Sequence, residues 1–219
     1  MKNKRIFAAL IINIIVVAAT AAITSSYYFG SKNPLVETGI DSYKFFTTDS
    51  NILAAISSLV LIPFEIQILR GKIEKLPHAA IVLKYVGMAS VMLTFITVLV
   101  LLLPQYGAEF LLLERAFYMH LAGPLAALVT FLFLETDSEV SIPETFLALI
   151  PPALYGAVYL TEVVFIGEEN GGWMDFYTFN RGGYWYVTVV VILGVVYAVA
   201  VITRLVHNRA VKKIAIKTD

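Results

Sequence analysis

Long apolar runs separated by short polar connectors dominate the chain. Crossing a bilayer takes roughly 20 apolar residues, and six stretches reach that length once polar interruptions are allowed: residues 6–29, 44–69, 81–103, 112–134, 145–166 and 184–206. The connectors carry the breakers. Residues 30–43 hold Pro34 and Gly39, 70–78 are basic, 104–111 form a short turn, 135–144 are acidic with Pro143, and 167–183 are rich in glycine and aromatic residues. This pattern predicts an all-α integral membrane protein, with six transmembrane helices in one compact bundle spanning residues 1–219 as a single domain. The two halves show no internal repeat, which disfavours an inverted-repeat transporter.

The positive charges orient the predicted bundle, because cytoplasmic loops retain lysine and arginine. Lys2, Lys4, Arg5, Arg70, Lys72, Lys75, Arg204, Arg209, Lys212, Lys213 and Lys217 fall on one side. Lys32, Lys44, Arg115 and Arg181 fall on the other, with Lys84 just inside the third stretch. Both termini are therefore expected in the cytoplasm. Tyr27, Tyr28, Trp173, Tyr184, Trp185 and Tyr186 then lie at outer ends, where an interfacial aromatic belt belongs.

Composition agrees with the pattern and narrows the chemistry. Hydrophobic residues make up 59% of the 219, charged residues only 15%, and mean hydropathy is +0.80, outside the range of soluble domains. A formal net charge of zero removes any argument for nucleic acid as a partner. With no cysteine there are no disulfides, thiolate metal sites or cysteine nucleophiles. The first apolar run is longer than a signal-peptide core and lacks a clear cleavage site, so it reads as a retained helix.

Polar groups interrupt the apolar runs chiefly on the outer side. The second stretch opens with Thr47, Thr48, Asp49, Ser50 and Asn51; the fourth carries Glu114, Arg115, Tyr118 and His120; the fifth carries Tyr155, Tyr159 and Glu162. Spacings of four and three put the last three on one helix face. In hydrocarbon such groups are costly unless they face protein or water, so together they predict a polar pocket opening outward. The inner halves of these stretches hold little beyond Glu65 and Gln67.

A hydroxyl beside a histidine is a nucleophile–base pair: the imidazole takes the hydroxyl proton and returns it to the leaving group. His120 is the one histidine of three inside a predicted span, which disfavours bis-histidine haem and histidine–cysteine zinc sites; no metal and no cofactor is expected. Arg115 or the Asn51 amide would serve a developing oxyanion, and Asp49 or Glu162 would orient the imidazole. Each residue also has a structural reading. Thr47, Thr48, Asp49 and Ser50 have the character of a helix start. His120 fits a packing role, Arg115 an interfacial one, and Tyr155 and Tyr159 a core with wet hydroxyls.

Lys44-Phe45-Phe46-Thr47 at the head of the second of six spans, with His120 followed by Pro124 in the fourth, resembles the androgen-induced protein family. That family includes the androgen-dependent regulator of tissue factor pathway inhibitor and bacterial six-helix membrane proteins. The bacterial relatives favour a Phe-Thr-x-x-Ser-Asn pattern, matched here by Phe46-Thr47-Thr48-Asp49-Ser50-Asn51. The resemblance implies an intramembrane threonine hydrolase acting on fatty acid esters of hydroxy fatty acids or similar lipid esters. By position Thr47 is the nucleophile and His120 its base, with Thr48 the alternate hydroxyl. The chain departs from the family's aromatic-proline motif before the last span, where Trp173-Met174-Asp175-Phe176-Tyr177 has no proline. The implied setting is a bacterial cytoplasmic membrane with the pocket facing outside, and membrane lipids and a lipid-like substrate as partners. The alternative from the residues alone is a non-enzymatic protein that binds or carries an amphiphile in the same pocket.

Overall fold

The computed structural model describes residues 2–29, 39–109 and 115–216. Among them every regular element is helical. Five helices are long and apolar enough to cross a membrane: α1 (Lys2–Phe29), α2 (Phe46–Leu69), α3 (His78–Leu102), α5 (Ile142–Ile166) and α6 (Trp185–Ile214). A shorter apolar helix, α4 (Tyr118–Leu134), occupies most of the fourth predicted stretch. Glu114, assigned to that stretch from sequence, lies outside the described residues. The chain is thus an all-α protein with the helices of a membrane protein.

The exposed surface supports that assignment. Phe7, Ile14 and Ile15 of α1, Phe133 of α4, Leu154 of α5 and Val190 of α6 all point away from the protein. Such apolar faces suit a lipid environment. The interior is organised on α3, whose Ile81, Lys84, Tyr85, Met88, Ala89 and Val91 are fully buried. Helix α2 packs between α1 and α3, while α4 and α6 meet other faces of α3.

Two glycines set how closely the helices approach. A Cβ on Gly87 of α3 would stand 2.7 Å from Ser57 Oγ and 3.2 Å from Ala54 Cα of α2. One on Gly123 of α4 would stand 3.0 Å from Asn51 Oδ1. Small residues at such crossings let backbones come together where lipid gives no hydrophobic drive for association.

Helix α2 begins later than the apolar pattern indicates. Gly39–Lys44 form a separate 3₁₀ turn, Phe45 is extended at φ −99° and ψ 126°, and the helix starts at Phe46. Wide, π-type turns cover Tyr118–Ala122 and Thr130–Leu134 in α4. The first has a local cause. Pro124 lacks an N–H and its ring would crowd the His120 carbonyl one turn back, and a widened turn relieves that contact.

At the end of the bundle that carries Lys2, Arg5 donates to Thr136 Oγ1 and pairs with Asp137 Oδ1 at 2.5 Å. The Leu76 amide donates to Asp137 Oδ2 at 3.0 Å. His207 of α6 contacts the Phe131 and Ser138 carbonyls at 2.8 and 2.9 Å. These bonds tie the 70–78 and 135–141 connectors to α1 and α6.

Candidate functional site

The first turn of α2 is held from two directions. Its N-cap residue, Phe45, offers no side-chain bond to the free amides. The cap comes from the 167–184 connector, where the Tyr177 hydroxyl accepts the Phe46 N–H at 3.2 Å. The Thr47 side chain and the Tyr155 hydroxyl lie close to the same hydroxyl. Tyr155 donates to the Lys44 carbonyl at 2.5 Å. The Thr47 side chain therefore lies beside phenols from α5 and the connector, and the threonine–aspartate run is capped by a residue 131 positions away.

The connector is itself built on Tyr159. That ring is fully buried and packs against Trp173, Phe176, Tyr177 and Phe179 at centroid distances of 6.1, 5.0, 5.4 and 5.1 Å. Its hydroxyl donates to Asp175 Oδ1 and accepts the Tyr177 N–H, both at 2.9 Å. Asp175 also accepts the Phe179 and Asn180 amides at 2.8 and 2.9 Å. Tyr159 thus organises the segment that delivers Tyr177. Burial pushes the Tyr177 hydroxyl up to about 12, so it stays a neutral donor and acceptor at ordinary pH.

From the other side, Asn51 joins α2 to α4. Its Nδ2 donates to the Thr47 carbonyl at 2.8 Å and to the Met119 carbonyl at 2.9 Å. One amide therefore stitches the turn bearing Thr47 to the turn bearing His120. Both Nδ2 hydrogens are engaged in this clamp, and Oδ1 faces Gly123. Ser50, next along, bonds Thr94 Oγ1 of α3 at 2.9 Å. His120 is half-buried, with its ring near the Ala116 carbonyl.

The remaining predicted residues disperse. Thr48 is buried at 3% exposure. The Arg115 guanidinium lies 4.9 Å from the centroid of the Tyr27 ring, a cation–π contact with α1. Glu162 is half-buried on the widened last turn of α5, and its carbonyl accepts the Gly167 N–H at 3.0 Å. Asp49 turns to a different face of α2 from Thr47 and lines a cavity of about 310 Å³ between α2 and α5. Tyr43, Phe46, Leu53, Tyr155 and Trp173 supply much of the wall, and Asp49 is its charged residue. Thr47 and His120 are not part of that wall.

Two features escape sequence reasoning. Tyr177 and Asp175 sit in a connector whose composition signals only a loop, and their role depends on contacts with α5 and α2. The second feature is a buried polar cluster at the other end of α2, where the sequence shows little beyond Glu65 and Gln67. It draws Asn13, Lys84 and Glu135 from three further segments. These are single polar residues, each unremarkable in its own segment, and they leave no linear signal. Among the described residues, no group of three or more histidine, aspartate or glutamate side chains is placed to hold a metal ion.

Comparison of the chain with protein-family models, with curated proteins and with solved structures returns no match.

Proposed function

We propose that the chain is a six-span membrane hydrolase of lipid esters, with both termini in the cytoplasm, the Thr47 end of α2 facing outside, and a bacterial cytoplasmic membrane as its setting. The observation that carries this reading is the Asn51 amide, which holds the Thr47 turn against the His120 turn through bonds of 2.8 and 2.9 Å. Thr47 Oγ attacks the ester carbonyl while His120 takes its proton. The imidazolium then returns that proton to the departing alkoxide, leaving an acyl-threonine that water, deprotonated by the same histidine, hydrolyses. Tyr177 acts as a positioning residue, since its hydroxyl holds the Phe46 N–H at the head of the helix and lies beside Thr47. Acyl chains remain in hydrocarbon throughout, so the substrate never enters water.

Labelling with a lipid-tailed fluorophosphonate tests the reading. The wild type and Thr47→Ser should label, and Thr47→Ala and His120→Ala should not. Labelling that survives Thr47→Ala but is lost in Thr48→Ala moves the nucleophile by one residue. Equal labelling of all variants overturns the proposal.

A second reading is favoured by one observation: the cavity beside Asp49 is walled by residues other than Thr47 and His120. On this reading the protein binds or carries an amphiphile without hydrolysing it. Lipid retained through purification by the wild type, lost on Leu53→Trp, with no ester turned over by either, would favour it.

A further inference from the structure

At the end of α2 remote from Thr47 the helices enclose ionisable groups that ester chemistry leaves unused. Asn13, Ser58, Glu65, Lys84 and Glu135 are all 0% exposed. Asn13 is the bracket. Its Nδ2 donates to Glu65 Oε1 at 2.9 Å and to Glu135 Oε1 at 2.8 Å, and its Oδ1 accepts from Lys84 Nζ at 2.7 Å. Lys84 also donates to Ser58 Oγ at 2.6 Å and lies 3.7 Å from Glu135 Oε1. Asn13 stands eight residues beyond Arg5 on α1, which is about 12 Å of helix. The cluster therefore reaches about two turns into the bundle from Arg5, with Glu135 where α4 meets the following connector.

One negative charge and two bare oxygens are left over. Glu65 Oε2 and Glu135 Oε2 are buried and meet no donor among the described residues. Fully ionised, two carboxylates against one ammonium would leave an uncompensated anion inside the bundle, the arrangement that desolvation penalises most. A single proton cancels the surplus and converts one bare acceptor into a donor. Carboxyl groups brought to one site share a proton in this way.

We propose that Glu65 and Glu135 form a membrane-embedded site that binds one proton, with Asn13 and Lys84 fixing the two carboxyl groups. Three other charges near these elements have partners of their own. Arg5 is bonded to Thr136 and Asp137, Glu144 of α5 pairs with His78 at 2.6 Å, and Lys212 of α6 pairs with Glu139 at 3.3 Å. Helix α6 also brings Arg204 beside Tyr85 and stacks His207 on Phe131 at 4.2 Å. Thr136 and the Arg5–Asp137 pair follow Glu135 directly in the chain and lie between the cluster and the end carrying Lys2. This site stands independently of the Thr47 reading.

Infrared difference spectroscopy on the full chain in lipid nanodiscs tests it, in an Asp49→Asn background that removes the carboxyl group at the opposite end. At neutral pH the protein should show a protonated-carboxyl stretch that shifts in D₂O and disappears at alkaline pH. Glu65→Gln and Glu135→Gln should each abolish it, because the remaining carboxylate then balances Lys84. Lys84→Met should double its amplitude, which keeps the test decisive where a glutamine variant fails to fold. No such band at neutral pH, a band unchanged by both glutamine variants, or a band unchanged by Lys84→Met overturns the proposal. Sodium-dependent melting without the band assigns the site to an alkali ion and overturns it as well.

Discussion

The Tyr177 hydroxyl accepts the Phe46 N–H at 3.2 Å, so the first turn of α2 is capped by a side chain from the connector before α6. A helix start that lacks its own cap is thereby made dependent on a distant loop. The dependence reaches Thr47, whose side chain lies beside the same phenol. Removing that phenol with Tyr177→Phe should cost about 1 kcal/mol, the usual contribution of one such bond. Hydrogen exchange at the Phe46 and Thr47 amides should accelerate selectively while amides in the middle of α2 keep their protection.

The same hydroxyl gives stability a pH dependence on the alkaline side. Burial raises Tyr177 from its ordinary 10.0 to about 12. A group that binds its proton more tightly when folded contributes fully below its unfolded value, and its contribution falls as pH rises from about 10 toward about 12. Melting temperatures in detergent, measured across that window, should decline more steeply for the wild type than for Tyr177→Phe.

Asn51 makes a prediction about coupling between helices. Asn51→Ala removes the donors to the Thr47 and Met119 carbonyls together and should destabilise by roughly 1–3 kcal/mol, since buried carbonyls lose their partners. On the proposed function it should also slow fluorophosphonate labelling of Thr47 without eliminating it. Labelling at the wild-type rate would show that the clamp plays no part in positioning the pair.

Gly123 and Gly156 form a matched test of close packing. A Cβ at Gly123 meets Asn51 Oδ1 at 3.0 Å and the Tyr118 carbonyl at 3.1 Å, whereas one at Gly156 meets nothing within 4 Å. Gly123→Ala should therefore destabilise by about 1–3 kcal/mol through forced separation of α2 and α4. Gly156→Ala should be neutral or stabilise by up to about 1 kcal/mol, because alanine is the better helix former. Thermal unfolding of both variants under one detergent condition decides the comparison.

Asp175 predicts local rather than global loosening. Its carboxylate gathers the Tyr159 hydroxyl and the Phe179 and Asn180 amides. Asp175→Ala should open the 167–184 connector to limited proteolysis several-fold faster while the melting of the helices shifts little. The Tyr177→Phe exchange signature at Phe46 should reappear in this variant, because the capping phenol is no longer held in place.

The linear sequence carries the membrane class and the approximate places of the helices, because hydrocarbon imposes a length and a composition that are visible residue by residue. It also singled out the Thr47–Asn51 run, since adjacent polar groups at the head of an apolar helix stand out locally. Its boundaries were less exact. The extended backbone at Phe45 splits a 3₁₀ turn from α2, and nothing in the run of Lys44 and Phe45 signals that break. Which polar groups meet is set by the packing of the helices. Tyr177 reaches Phe46 across 131 positions, Asn13 brackets Glu65 and Glu135, and Asp49 faces a different wall from Thr47. Each of these depends on helix rotation and crossing distance, set by contacts such as Gly87 on Ser57 and Gly123 on Asn51. A polar residue's spacing fixes its place on its own helix face, but its partner is fixed by how the faces pack.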